Sequence, residues 1–244
     1  MKAAPADQAL LLELQELDTR IQRATQQLAK LPEQQELKAI AEGRDVLRME
    51  LAQRNGAVED AQTELKRTET DVATVDARIA RDTQRLQSST SVKDIQGLEQ
   101  ELAALAKRKS DLEDIELAVM ETVEERTAEV EKTRAGLADL EQRAATTQAA
   151  LEKAQATLHG DQEAAVTARA GLEPRIPADL LALYEKQRAR YGSGASLLQR
   201  GVSLAAGVAL NASDMNTVRA AAPDDVLLCP ESQAILVRTD ESGI

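Results

Sequence analysis

Large aromatic side chains are almost absent from this sequence. Its 244 residues include no Trp and no Phe, and the only tyrosines are Tyr184 and Tyr191. A globular domain usually fills its centre with such side chains, so an ordinary compact core is excluded for most of the chain. Charged residues make up 30% of the sequence, with many Ala, Leu and Gln, a composition typical of long helices.

Cysteine and histidine are equally scarce, with Cys229 and His159 as the only examples. A single cysteine excludes an internal disulfide. A single histidine, with no Gly-rich phosphate loop and no hydrolase or metalloprotease motif, leaves no recognisable catalytic set. We interpret His159 as a solvated residue at a helix end and Cys229 as a small buried side chain, and we predict that the protein is not an enzyme.

Long apolar runs are also missing. No stretch approaches the ~20 consecutive apolar residues of a membrane span, and residues 1–8 lack the features of a signal peptide. We therefore expect a cytoplasmic protein with no membrane contact. The net charge of -12 disfavours broad binding to the phosphate backbone of nucleic acids.

Apolar residues recur at alternating spacings of three and four along three segments, 10–31, 37–86 and 95–158. A stripe with this period stays on one side of a helix only if the helix winds around a partner. Pro32 ends the first helix. The break at residues 88–91 is so short that the next two helices must run antiparallel. The predicted fold is mainly α, a long antiparallel coiled-coil hairpin with the N-terminal helix packed at its base.

Polar residues interrupt the predicted stripe at regular places, and we interpret them as residues that fix register. They are Arg44, Arg54, Thr68, Asp82, Lys109, Glu116, Arg126, Thr133 and Thr147. We expect the pattern to end or kink at His159-Gly160, and prolines at 174 and 177 to end the helical part. The predicted domains are a hairpin at 1–173, with its tip near 88–92, and a smaller domain at 174–244.

The last seventy residues differ in character from the hairpin. Residues 179–190 predict an amphipathic helix, and residues 192–194 a flexible hinge. Residues 211–222 predict a short helix or turn. Residues 226–229 and 234–238 predict two strands joined by a turn. Together they predict a small α+β knob.

Four segments carry a resemblance to a known family. They are SVKDIQGLEQEL at 91–102, IPADLLALYE at 176–185, AAAPDDV at 220–226 and ILVRTD at 235–240. In this order the sequence resembles the bacterial C4-type zinc-ribbon proteins with a coiled-coil hairpin, and most closely their actinobacterial members. The resemblance covers nearly the whole chain and implies that the knob is zinc-ribbon-like.

The zinc ligands of that family are not retained here. The resemblance places two Cys-x-x-Cys pairs at Ser203, Ala206, Cys229 and Ser232, and only one of these is a cysteine. One thiolate cannot hold a structural zinc ion, which needs four ligands. We predict that zinc is lost, that no cofactor is bound, and that packing of the apolar segment 202–210 against residues 226–228 and 235–237 replaces it.

The leading functional hypothesis is a non-catalytic scaffold or adaptor that binds other proteins through the hairpin and the knob. Candidate contacts near the tip are Val92, Lys93, Asp94, Leu98 and Glu101. Members of the family that the sequence resembles are associated with assembly of secretion or flagellar machinery and, in some cases, with RNA. The alternative is a nucleic-acid-binding module that uses Lys186, Arg188, Arg190 and Arg200. The sequence leaves open whether the chain is a monomer or a homodimer.

Overall fold

The computed structural model describes all 244 residues, Met1–Ile244. Five α-helices are followed, and partly interleaved, by five short strands. The helices are α1 (Pro5–Leu28), α2 (Pro32–Ser88), α3 (Val92–Leu172), α4 (Ala178–Tyr191) and α5 (Ala212–Ala220). The strands are β1 (Ala195–Gln199), β2 (Val202–Ser203), β3 (Val208–Ala209), β4 (Leu227–Leu228) and β5 (Ile235–Val237).

The chain forms two compact units. Residues 35–148 make up one, here called the hairpin unit, and residues 1–34 with 149–244 make up the other, the core unit. The boundary predicted between residues 173 and 174 does not coincide with this division. The reason is that α1 and the last part of α3 find their partners in the C-terminal segment.

Within the hairpin unit, α2 and α3 run antiparallel. Arg44 of α2 lies 3.6 Å from Glu141 of α3, whereas Asp76, further along α2, accepts a hydrogen bond of 2.6 Å from Lys109. Partner numbers therefore fall along α3 as they rise along α2, and the turn between the helices is residues 89–91. The predicted fold class, a long coiled-coil hairpin followed by a small strand-containing segment, is confirmed.

The row of residues along which α2 and α3 contact each other is here called the seam. Two glycines lie against two leucines across it. A Cβ atom on Gly43 would lie 3.4 Å from a methyl group of Leu140, and one on Gly136 would lie 3.4 Å from a methyl group of Leu47. Each helix thus presents a leucine to a glycine of the other. This reciprocal fit favours a single register, because a shift would place leucine against leucine.

The polar residues of the seam mostly satisfy their own hydrogen bonds. Thr68 and Thr133 are buried, and their hydroxyls donate to the carbonyls of Glu64 and Glu129, at 3.1 and 2.9 Å. Asp82 is buried too, but its Oδ2 atom accepts no hydrogen bond. Burial of Thr68 and Thr133 therefore costs the hairpin little stability. The buried carboxylate of Asp82 is not fully compensated by hydrogen bonds.

The helix α3 continues beyond the place where the sequence predicts its end. It runs without a break through His159 and Gly160, which are both exposed, to Leu172. The predicted helix end at this pair is wrong. An exposed glycine inside a helix costs only about 1 kcal/mol, and burial of Leu151 and Ala165 on either side offsets it.

The core unit has a dense apolar centre where α1, the end of α3, α4 and two strands meet. Leu11, Leu14 and Tyr184 are fully buried there. Other members of this cluster are Leu172, Ile176, Leu180, Ala195, Ile235 and Val237. Helix α1 thus buries its stripe against residues that lie far away in the sequence.

The segment after α4 is held rather than flexible. Gly192 ends the helix with a positive φ of 85°, a backbone conformation that glycine adopts at little cost. The Gly194 carbonyl accepts a hydrogen bond of 2.9 Å from the Ile235 amide. A Cβ atom on Gly194 would lie 2.5 Å from the ring of Tyr184, so the backbone lies directly against that ring. The prediction of a flexible hinge at 192–194 is wrong.

The five strands form one sheet in the order β3-β2-β1-β5-β4. Strands β1 and β5 pair in parallel, with Ala195 opposite Ile235, and the other neighbours are antiparallel. The helix predicted at 211–222 and the strands predicted at 226–229 and 234–238 are present in shorter form. Asn211 caps α5 by accepting a hydrogen bond of 2.9 Å from the Asp214 amide.

A second apolar cluster lies beside this sheet. It contains Leu198, Leu210, Val218, Cys229 and Leu236, with Ala206 at its edge. The predicted packing of segment 202–210 is therefore correct for Leu210 and Ala206 only. Leu204 and Val208 are exposed, because the short β2–β3 hairpin turns their side chains outward.

The first residues of the chain are bound to the loop after α5. The Ala3 amide donates a hydrogen bond of 2.8 Å to the Asp224 carbonyl, and the Val226 amide donates one of 3.1 Å to the Met1 carbonyl. Lys2 forms an ion pair of 2.9 Å with the Asp224 carboxylate. Arg238 supports the same loop by donating to the carbonyls of Ala221, Ala222, Pro223 and Asp225.

Candidate functional site

The hairpin turn exposes three of the five residues predicted to bind a partner. Val92 is 70% exposed, and Lys93 and Asp94 next to it are exposed as well. Leu98 is 8% exposed because it belongs to the seam, so it has little surface to offer a partner. Glu101 forms an ion pair with Arg78 of α2. The available surface at the turn is therefore Val92, Lys93 and Asp94.

The four cations predicted to bind nucleic acid do not form one patch. Lys186 and Arg190 are four residues apart and share a face of α4, whereas Arg188 lies on the opposite face. Arg190 lies over the ring of Tyr191, 5.3 Å from its centre. Arg200 lies after β1, in a turn where its φ is 49°.

Arg188 belongs to a polar network inside the core unit that sequence analysis missed. Asp18 of α1 is buried and accepts hydrogen bonds from Arg188 at 3.1 Å, from Arg169 at 2.7 Å and from the Tyr184 hydroxyl at 2.7 Å. Arg169 also pairs with Glu173 and Glu185. Two guanidinium groups thus compensate a buried carboxylate, and the network links α1, α3 and α4.

The network shifts the pKa values of two of its members. Burial raises the pKa of Tyr184, and the hydrogen bond to Asp18 raises it further, so this phenol stays protonated. Burial acts to lower the pKa of Arg169, but its bonds to Asp18 and Glu185 outweigh that effect and raise the pKa. Neither the Tyr184 phenol nor the Arg169 guanidinium exchanges a proton near neutral pH, so neither serves as an acid or base there.

Gln15, one turn before Asp18, extends the network to the backbone after α4. Its Oε1 atom accepts hydrogen bonds from the Gly194 amide at 2.7 Å, the Ala195 amide at 3.3 Å and the Ser193 hydroxyl at 3.2 Å. One side chain of α1 therefore satisfies the donors at the start of β1. This explains why residues 192–194 are held in place.

The four positions that the resemblance assigns to zinc ligands come together in the fold. Ser203 and Ser232 lie beside the thiol of Cys229, and Ala206 contacts the apolar cluster that contains Cys229. Burial acts to raise the pKa of Cys229, but the polar groups of Ser203 and Ser232 outweigh it and lower the pKa. The Ser203 hydroxyl hydrogen-bonds to the Ser196 hydroxyl at 2.9 Å.

This group of residues does not fit a zinc ion. Zinc in structural sites takes four ligands, usually thiolates or imidazoles. Here the four positions offer one thiol, two hydroxyls and a methyl group, and the Ser203 hydroxyl already bonds to Ser196. Nowhere in the chain do three His, Cys, Asp or Glu side chains come together in a way that could hold a metal ion.

The family is identified by comparison with known proteins. Residues 14–192 match the CT398-like coiled coil hairpin domain. This chain belongs to that family.

Relatives and solved structures agree with this assignment. The uncharacterized protein Rv2229c of Mycobacterium tuberculosis strain H37Rv is 33% identical over 98% of both chains, and so is the uncharacterized protein MT2288 of strain CDC 1551 / Oshkosh. A solved structure from Mycobacterium smegmatis is 32% identical, covers 98% of this chain and 100% of its own, and superposes with a TM-score of 0.77. CT398 from Chlamydia trachomatis is 17% identical, covers 96% and 98%, and has a TM-score of 0.59, which shows the shared fold alone.

No helix of the family member described here combines the length and the apolar character needed to cross a membrane.

Proposed function

We propose that this protein is a non-catalytic cytoplasmic scaffold that binds partner proteins through its hairpin and its C-terminal segment. The observation that carries the proposal is the composition of the hairpin turn. Val92 is the most exposed large apolar residue of the chain, at 70%, and neither Lys93 nor Asp94 pairs its charge with another side chain. An exposed apolar side chain beside two unpaired charges is the kind of surface that a protein partner covers.

The inner polar groups support a role without catalysis. In the core unit the buried carboxylate of Asp18 is bound by two arginines and a tyrosine, so it is not free to act on a substrate. The thiol of Cys229 is fully buried, so this nucleophile does not reach solvent. Partner binding by outer surfaces needs none of these groups to move.

The test is an affinity purification from the native cytoplasm with three versions of the full chain. These are the unchanged protein, the turn variant Val92→Asp with Lys93→Glu, and the control Leu117→Asp, which alters an exposed leucine on α3 away from the turn. We expect proteins captured by the unchanged chain and the control to be lost from the turn variant. Capture of the same proteins by all three versions would contradict a partner site at the turn.

The same purification tests the nucleic-acid alternative. RNA or DNA that copurifies, is released by salt, and depends on Lys186 and Arg190 would favour a nucleic-acid module over a scaffold. Nuclease treatment before elution separates the two, because proteins bound directly to the turn stay on the chain.

A further inference from the structure

A long groove runs along one side of the core unit, between α1 and the last part of α3. Its volume is about 820 Å³, and its floor is apolar, with Leu31, Ala154 and Leu158. A second groove of about 590 Å³ shares Arg23, Gln27 and Leu158 with the first and continues it towards Ala168. Helices α1 and α3 are antiparallel here, since Gln162 bonds to Thr25 at 2.9 Å and Arg169 to Asp18 at 2.7 Å.

The rim of the larger groove is positive, although the chain as a whole has a net charge of -12. Arg23, Lys30 and Lys153 are exposed along it, and no carboxylate lines it. None of these three cations forms an ion pair, whereas Arg20 one turn before Arg23 is paired with Glu16 at 2.5 Å. Three unpaired cations around one apolar floor form a positive patch on an otherwise acidic protein. Such a patch attracts negatively charged groups.

The dimensions suit a helix. Residues 150–168 of α3 line the two grooves together, a rise of about 27 Å, which equals a helix of about 18 residues. Apolar floors between two antiparallel helices accept the apolar face of a third helix, and charged residues flanking that face then meet the rim. Base stacking has no support here, because no aromatic residue lines either groove.

We propose that this groove binds an acidic amphipathic helix of a partner protein, with its apolar face on Leu31, Ala154 and Leu158 and its carboxylates on Arg23, Lys30 and Lys153. The inference rests on the proposed scaffold function and specifies the chemistry of one of its partners. Carboxylates on the incoming helix form with the rim the ion pairs that the chain itself does not provide.

The experiment measures fluorescence anisotropy of three labelled 18-residue helical peptides with the full chain at low salt. The peptides share one apolar face of Leu and Ala and differ only in their flanks, which carry Glu, Gln or Lys. We expect the Glu peptide to bind about tenfold or more tightly than the Lys peptide. The triple variant Arg23→Glu, Lys30→Glu, Lys153→Glu should lose that advantage.

The matched control is Lys66→Glu, Arg67→Glu, Lys132→Glu, which makes the same change in net charge at exposed cations of the hairpin unit. It should keep the affinity of the unchanged chain, and circular dichroism should show equal helix content in both variants. Equal affinity for the three peptides, or equal loss in both variants, would refute the proposal.

Other occupants would refute it too. Displacement of the Glu peptide by a short single-stranded RNA or by phosphatidylglycerol vesicles would assign the groove to phosphates. A dimer that dissociates only in the groove variant would assign it to a second copy of the chain. If the groove variant fails to bind the Glu peptide but still captures the partners of the hairpin turn, the scaffold function stands apart from the groove.

Discussion

The core unit and the hairpin unit are stabilised in different ways. All side chains with the lowest exposure, among them Tyr184, Leu11 and Ile235, lie in the core unit. Its buried polar groups bond across long stretches of sequence, as Asp18 does to Tyr184. In the hairpin unit the buried Thr68 and Thr133 bond four residues back within their own helix.

This difference shows which interactions determine a single structure for each unit. A hairpin of two helices is specified by its period, its glycine–leucine contacts and a few cross-helix ion pairs, each of small effect. The core unit is specified by contacts that only one arrangement of distant segments can satisfy. Single substitutions should therefore have larger effects in the core unit than in the hairpin unit.

The largest expected effect is the creation of a zinc site at the four positions that the resemblance assigns to zinc ligands. The triple variant Ser203→Cys, Ala206→Cys, Ser232→Cys, together with Cys229, should bind one zinc ion per chain, because Ser203 and Ser232 lie beside Cys229 and Ala206 packs against the same cluster. Metal analysis by mass spectrometry should find zinc in this variant and none in the unchanged protein. Zinc should slow hydrogen exchange in the core unit only.

Near-stoichiometric zinc in the unchanged protein would contradict the conclusion that the residues at positions 203, 206, 229 and 232 do not fit a zinc ion. A triple variant that folds but binds no zinc would show that the four positions lie further apart than a zinc site permits. The double variant Ser203→Cys, Ser232→Cys serves as control, since three thiols should bind more weakly than four.

The substitution Gly194→Ala should destabilise the core unit by about 2–4 kcal/mol. Its Cβ atom would lie 2.5 Å from the Tyr184 ring, and that ring cannot retreat because its hydroxyl is bound to Asp18. Urea unfolding followed by the near-ultraviolet signal of tyrosine measures the change. The control Gly97→Ala has nothing within 4 Å and should leave stability unchanged or slightly higher. Equal effects of both variants would contradict the contact.

The substitution Tyr184→Phe should cost about 1–2 kcal/mol, because it removes one of the hydrogen bonds to the buried Asp18 carboxylate. It should also change the response to alkali. The pKa of Tyr184 is raised in the folded state, so above about pH 10 the unfolded chain loses this proton first and stability falls as pH rises.

The comparison of unfolding at pH 8 and pH 11 tests this sign. Tyr184→Phe should lose less stability over that interval than the unchanged protein does. The control Tyr191→Phe alters an exposed ring and should behave like the unchanged protein. A larger alkaline loss in Tyr184→Phe would contradict the raised pKa.

The smallest expected effect is a gain in the hairpin unit. Asp82→Leu replaces a buried carboxylate, one oxygen of which accepts no hydrogen bond and lies 3.8 Å from the exposed Arg78, by an apolar side chain in the seam. We expect stabilisation of about 1–2 kcal/mol, seen as slower hydrogen exchange of residues near the turn. The exposed control Asp71→Leu should change stability by less than about 0.5 kcal/mol. Destabilisation by Asp82→Leu would show that the carboxylate is needed for register.

The hairpin could be predicted from sequence because its information is local. Spacing from Leu37 to Leu86 shows the apolar face of α2, and the short break at 88–91 leaves only an antiparallel return. The continuation of α3 through Gly160 could not be predicted, because it depends on the packing of flanking residues against α1. A glycine signals a helix end only where nothing holds the helix beyond it.

The hydrogen-bond network around Asp18 in the core unit could not be predicted from sequence patterns. Asp18 and Tyr184 are separated by 166 positions, and nothing near either residue indicates the other. The only available signal is a carboxylate at 18 between Leu17 and Ile21, on a helix predicted to pack at the base of the hairpin. Arg188 belongs to the alternative nucleic-acid hypothesis for the same reason, because its partner lies 170 positions earlier.

The anchoring of residues 1–3 to the loop at 224–226 has a consequence for how the chain is made. On the ribosome, α1 emerges first. Its Asp18 can bond to Arg169, and Ala3 to Asp224, only after those later residues have been synthesised. Residues 35–148 of the hairpin unit are complete before Arg169 is synthesised. The earliest helix to be synthesised is therefore among the last to find its partners, and during translation its apolar stripe is the surface most in need of a chaperone.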